Sequence, residues 1–280
     1  MELLVVVAII VLLIAILVPS LGIAREHAKL TMCQTHMRGW GQGFNVYAQT
    51  YDGYLPLDGG DGTNAVPIGK WDDPFIWFNG VSLMMSGGDQ SYDNLQTAAL
   101  AGTGQLPKAG ANSLFLCPSA TLDPQGAAGD TVLNGYFRTW GWKKVVPAQL
   151  EQRDMLLCYG MNSQIRNWSW PGVVSAYPGK GSVGDITRLQ QLDPIASTVL
   201  VAEKRIRQDE LVSTDANYTK ALTQDKVAPT RFAARHKKGG NIAFADAHVE
   251  WFTNAAVNAA DAATPKYNQP GIMIWNPQLP

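Results

Sequence analysis

The sequence predicts an α+β chain: one long N-terminal α-helix, half of membrane length and half amphipathic, packed on a small antiparallel β-sheet with irregular loops. Three observations predict it. Apolar residues run from Leu3 to Ala24 without a formal charge and then recur at helical spacing as far as Tyr51. Beyond that point the apolar runs are short and closed by Pro, Gly or Asn, as strands are. The 27 Gly and 16 Pro of the 280 residues supply the breaks between them.

The charge-free run is interrupted only by Pro19. At 1.5 Å per residue it covers roughly 30 Å, the thickness of a bilayer's hydrocarbon core. It exceeds the apolar core of a secretory signal peptide and lacks that peptide's basic start. Read as a plain anchor, it is awkward to orient. Arg25, Lys29 and Arg38 all lie on its C-terminal side, so the positive-inside rule places the body in the cytoplasm. Glu2 adds a second difficulty, because a carboxylate in hydrocarbon is costly unless paired or near the interface. Next, Cys33, Met37, Trp40, Phe44, Tyr47 and Tyr51 follow at steps of 4, 3, 4, 3 and 4, an apolar stripe on a helix. Gly39, Gly41 and Gly43 weaken that helix by about 1 kcal/mol each relative to alanine where they are exposed. Asp52-Gly53 supplies the stop, with Gly53 suited to the left-handed cap. One helix from Glu2 to about Tyr51 is expected, on the order of 75 Å long. Residues 1–24 form its transmembrane or filament-core half, and residues 25–53 its amphipathic half.

The stretch "ELLVVVAIIVLLIAILVPSLGIAREHAK" resembles the N-terminal helix of type IV pilins and of the pseudopilins of type II secretion. Glu2 and Pro19 stand 17 residues apart, as the family's glutamate and helix-kinking proline do. In that family a prepilin peptidase cuts a basic leader before a phenylalanine, which is then N-methylated. Those preceding residues are not in this chain, and its mature start is expected upstream of Met1. The resemblance implies a structural subunit, not an enzyme. It implies single-pass insertion in the bacterial inner membrane with the body in the periplasm. Its implied partners are other pilin-like subunits, the prepilin peptidase and an inner-membrane assembly platform. Glu2 would set subunit register by pairing with a neighbour's N-terminal amine, and Pro19 would let the helix bend. The lost leader would also remove the orientation problem.

Residues 54–252 are expected to form the globular body. Residues 54–112 read as loops with one or two short helices. "SLFLCPS" (113–119), "DMLLCYGMNS" (154–163), "STVLVAEKR" (197–205) and "GNIAFADAHVEWF" (240–252) read as strands, the last as a hairpin turning at Asp246-Ala247. Residues 253–280 read as a short helix and an extended tail. "FLCPS", "YGMNS", "VLVAEK" and "RHKKGGNIAFADAHVEW" are similar to successive landmarks of pseudopilin-like proteins with a C-terminal H-x9-DG signature. His236 and Asp246 have that spacing, but Ala247 stands where the family has glycine. A turn other than type I′, or a longer loop, is therefore expected.

Several residues are candidates for chemistry. His236, Asp246 and His248, with Asp185 or Glu203 nearby, could ligate a divalent metal. The preferred reading is structural: Arg235 and His236 close the strand-to-turn junction, and Asp246 holds the hairpin through side-chain-to-backbone bonds. "DGGDGT" (58–63) is a candidate Ca2+ loop, since some similar pseudopilins bind Ca2+, but it lacks the EF-hand spacing. "RTWGW" and "RNWSW" place Trp140, Trp142, Trp168 and Trp170 in two Arg-x-Trp-x-Trp pairs. These suit either packing or ligand stacking, so a membrane-tethered glycan- or partner-binding envelope protein is the alternative function. No nucleophile elbow or phosphate loop is present. The near balance of 22 basic and 23 acidic residues gives no basis for nucleic-acid capture. Of the three cysteines, an oxidising compartment would allow a Cys117–Cys158 bridge.

Overall fold

A computed structural model describes residues 2–57, 74–86, 91–103, 113–120, 137–143, 150–155, 157–165, 188–205, 226–259, 268–269 and 271–277. Helix α1 spans Glu2–Thr50 with Pro19 inside it. The expected stop is where it was placed. Asp52 and Gly53 take φ of 53° and 83°, and the Gly53 amide donates to the Ala48 carbonyl at 2.7 Å. The stripe Cys33, Met37, Trp40, Phe44 and Tyr47 is fully buried, whereas the apolar residues from Leu3 to Ile23 are exposed.

Helices α2 (Trp77–Ser86) and α3 (Tyr92–Leu100) occupy the stretch expected to hold one or two short helices. Trp77 of α2 meets Trp40 edge-on with ring centroids 5.1 Å apart and stacks on Phe44 at 6.4 Å. Burying each such ring contributes at least about 1.5–3 kcal/mol, so this contact is a large part of what seats α1 on the body.

Strands β1 (Phe137–Lys143) and β2 (Leu150–Met155) form a separate antiparallel pair. The main sheet contains β3 (Tyr159–Asn162), β4 (Val199–Glu203), β5 (Lys226–Val227), β6 (Gly239–Phe244) and β7 (Val249–Thr253). Its order is β5-β3-β4-β6-β7, antiparallel except for the two-residue edge strand β5. Helix α4 (Asn254–Ala259) follows directly.

The 240–252 segment is the expected hairpin, and its turn answers the question posed by Ala247. Phe244 pairs with His248, so three residues form the loop, and Ala247 takes the left-handed position with φ of 70°. This is a type I turn closed by a left-handed residue rather than a type I′ turn. Gly41 of α1 lies against it. A Cβ on Gly41 would stand 2.9 Å from the Ala247 Cα, so the helix glycines are sites of close approach as well as weak points. Backbone pinned in a tight turn cannot yield as a flexible side chain does. Gly41→Val should therefore lower stability by about 1–3 kcal/mol in urea unfolding. Gly22→Ala, with nothing within 4 Å, should be neutral or stabilising.

Three expectations are corrected. Residues 113–119 are turns rather than a strand, because their amides bond locally: Leu116 to Ser113 and Ala120 to Cys117. The segment 154–163 divides between the end of β2 and β3. The C-terminal tail is not a separate appendage. Val199 donates to Ile274 and Ile274 to Ser197, so this segment lies beside β4, and Met273 and Trp275 fill a second core with Phe232, Ile242 and Phe244.

Candidate functional site

Two features stand out: the bare first half of α1 and a buried polar cluster where α1 meets the sheet. The cluster begins with Glu203, the last residue of β4 and fully buried. Ala202 pairs with Ile242 on β6, which brings Glu203 beside Asn241 and the turn before it. The Asn241 amide donates to Glu203 Oε1 at 3.0 Å. His236 Nε2 lies 3.4 Å from the same oxygen, and Arg235 Nη2 lies 4.0 Å from Oε2. Burial alone would raise the Glu203 carboxyl. The hydrogen bond and charge of His236, the Arg235 guanidinium and the Asn241 amide outweigh it and hold the group below its ordinary value.

His236 is fixed by its backbone. It exchanges two hydrogen bonds with Gly239 across a two-residue turn in which Lys237 and Lys238 take φ of 52° and 63°. The Trp251 indole also donates to its carbonyl. The ring then faces a disulfide, with Nε2 3.2 Å from Cys117 Sγ.

That disulfide joins Cys33 of α1 to Cys117 in the 113–120 turn. The bridge that an oxidising compartment would allow between Cys117 and Cys158 is thus not the one formed. The helical stripe places Cys33 on the buried face of α1 opposite Cys117, while Cys158, also buried, is not in the bridge. Tyr159 closes the cluster on the helix side, its hydroxyl donating to the Leu116 carbonyl and lying 3.2 Å from His36 Nδ1. Burial first, and then the charges of Glu203 and Cys158, push its phenol well above the ordinary value, against the pull of Arg235.

The residues singled out in the sequence fall differently. His236 and Asp246 sit at opposite ends of β6, separated by roughly 15–20 Å at about 3.3–3.4 Å per strand residue. The metal set His236, Asp246 and His248 is therefore not brought together. Asp246 instead accepts from the His248 amide at 3.1 Å and lies 2.6 Å from its Nδ1, the expected hairpin-holding role. Glu203 does stand beside His236, as one of the two neighbours considered for it. Asp185, the 58–63 loop, Trp168 and Trp170 lie outside the described residues. Trp140 and Trp142 are in β1, whose register shifts between Thr139 and Trp142. Sequence reasoning named Cys33, Cys117 and Arg235 but missed that Cys33 pairs with Cys117 and that Arg235 lies beside Glu203. For Cys33 a signal existed, since a cysteine on an otherwise apolar buried stripe has to face the body.

At the other end, Glu2 is the first residue of α1 and Pro19 lies within its exposed part. This helix is long and apolar enough to cross a membrane, and none of its most apolar window is buried against the body. Comparison with protein-family models, curated proteins and solved structures gives no match.

Proposed function

We propose that this chain is a pilin-like structural subunit. It is held in the bacterial inner membrane by residues 3–24 with its body in the periplasm, and it is drawn into a pseudopilus or pilus, most simply one serving type II secretion. The division of α1 supports this reading. Its second half is sealed into the core, and its first half is an exposed apolar rod with no partner among the described residues of the body. Such a rod needs lipid or other apolar helices around it. In a filament, the same halves of neighbouring subunits take the place of lipid. Glu2 then pairs across subunits and fixes axial register, a role in which one buried ion pair gives specificity rather than stability.

Nothing in this role requires catalysis. The disulfide and the Trp40–Trp77 contact transmit load from the rod to the body, so the sheet travels rigidly with the helix. Glu2→Ala tests the register role. The variant should stay folded and membrane-bound while its entry into sheared filaments falls by at least about tenfold, equivalent to about 1.4 kcal/mol of assembly free energy. Normal filaments from this variant would remove the register role.

A further inference from the structure

We propose that Cys33, Cys117, His236 and Glu203 form a binding site for one Zn2+-class cation, occupied when the Cys33–Cys117 bridge is reduced. The inference does not depend on the filament reading. Each of the four residues is buried and offers one ligand atom, and these atoms all lie within 4.8 Å of one another. They come from four separate segments: α1, the 113–120 turn, β4 and the turn before β6. Convergence of two sulfurs, an imidazole and a carboxylate from such distant stretches is not a by-product of local sequence.

The spacing suits a tetrahedral ion. Ligand atoms at about 2.0–2.3 Å from a central zinc stand roughly 3.3–3.8 Å from one another. His236 Nε2 is 3.2 Å from Cys117 Sγ and 3.4 Å from Glu203 Oε1. Closing the site requires the two sulfurs to part and the ligand atoms, now within 4.8 Å of one another, to draw in to that spacing.

The donor set also selects the ion. Thiolate and imidazole favour zinc over calcium or magnesium, which prefer an all-oxygen shell. Two thiolates, one carboxylate and a divalent ion leave a single negative charge, and the buried Arg235 guanidinium beside Glu203 balances it. The surrounding shell is already built. Asn241 orients the carboxylate by donating to Glu203 Oε1, the oxygen nearest His236, and Trp251 holds the His236 backbone.

The two states exclude each other. A dithiol donor gives two electrons and two protons to the bridge, becoming a disulfide itself and leaving two thiols on the protein. The cation then displaces both thiol protons to solvent. Either way the same two cysteines fasten α1 to the body, covalently in one state and through the ion in the other.

The test uses the full chain in detergent, reduced with dithiothreitol, freed of reductant without air, and titrated with Co2+ alone as a spectroscopic probe. The reduced chain should take up one Co2+ with thiolate charge-transfer absorption and the intense visible bands of a tetrahedral site. The oxidised chain should show neither. Cys158→Ser should bind like the parent, whereas Glu203→Gln and His236→Gln should bind at least about tenfold more weakly. Equal binding by oxidised and reduced chains, or only the faint bands of six-coordinate cobalt in the reduced chain, would overturn the site. The comparison of oxidised with reduced parent protein decides the matter even where a variant fails to fold.

Discussion

Glu203→Ala should destabilise the body by about 3–5 kcal/mol, because it removes one partner of a fully desolvated ionic cluster. The carboxylate is an acceptor for Asn241, the counter-charge for Arg235 and a close neighbour of His236, all with buried side chains. Its loss takes a buried carboxylate from beside the Arg235 guanidinium and strips Asn241 of that acceptor. Against the 5–15 kcal/mol by which domains are normally stable, that is about a fifth of the total or more. Glu203→Gln keeps the shape and should cost less. Glu250→Ala, on the exposed side of β7, should stay within about 0.5 kcal/mol of the parent. Urea unfolding of the detergent-solubilised chain reads all three through the buried Trp40, Trp77 and Trp275. A Glu203→Ala midpoint indistinguishable from that of Glu250→Ala would mean the cluster is not desolvated as described.

Cys33→Ser should be of similar size, for a different reason. The bridge spans a sequence separation of 84 residues. Closing a loop of that length lowers the entropy of the unfolded chain enough to stabilise the fold by about 4–5 kcal/mol in the chain-entropy account. The measurement belongs in the presence of a chelator, so that no metal substitutes for the bond. Under those conditions dithiothreitol should lower the parent's urea midpoint to that of Cys33→Ser and leave the variant unchanged. A parent midpoint unaffected by the reductant would show that Cys33 and Cys117 are not joined. The two predictions should not add, because His236 touches both Cys117 and Glu203 and couples them.

What was legible in the sequence is what periodicity and local chemistry determine. The steps from Cys33 to Tyr47 named the buried face of α1 residue by residue, and Asp52-Gly53 named its end. The apolar run containing β4, bounded by breakers, and the 240–252 hairpin were legible for the same reason. Contacts between distant stretches were not. Cys33 and Cys117 meet because α1 and a turn are packed together by Trp40, Phe115 and Trp77, and no local pattern encodes that. The H-x9-D spacing invites a single cluster, yet six residues of β6 lie inside it and carry His236 and Asp246 to opposite ends of the strand. The short helix and extended end were legible, but not that Met273 and Trp275 anchor that end in the core while Asn162 donates to the Trp275 carbonyl.

In the proposed filament the bare half of α1 is covered by the same half of other subunits. Site-specific photo-crosslinking from Ile14, on the exposed part of the rod, tests it in living cells. A photoreactive residue there should give a ladder of products joined to further pilin-like subunits, and Glu2→Ala in the same chain should abolish the ladder. Products containing only a single chain bearing lipid, under conditions in which filaments form, would contradict the account and leave a membrane anchor in its place.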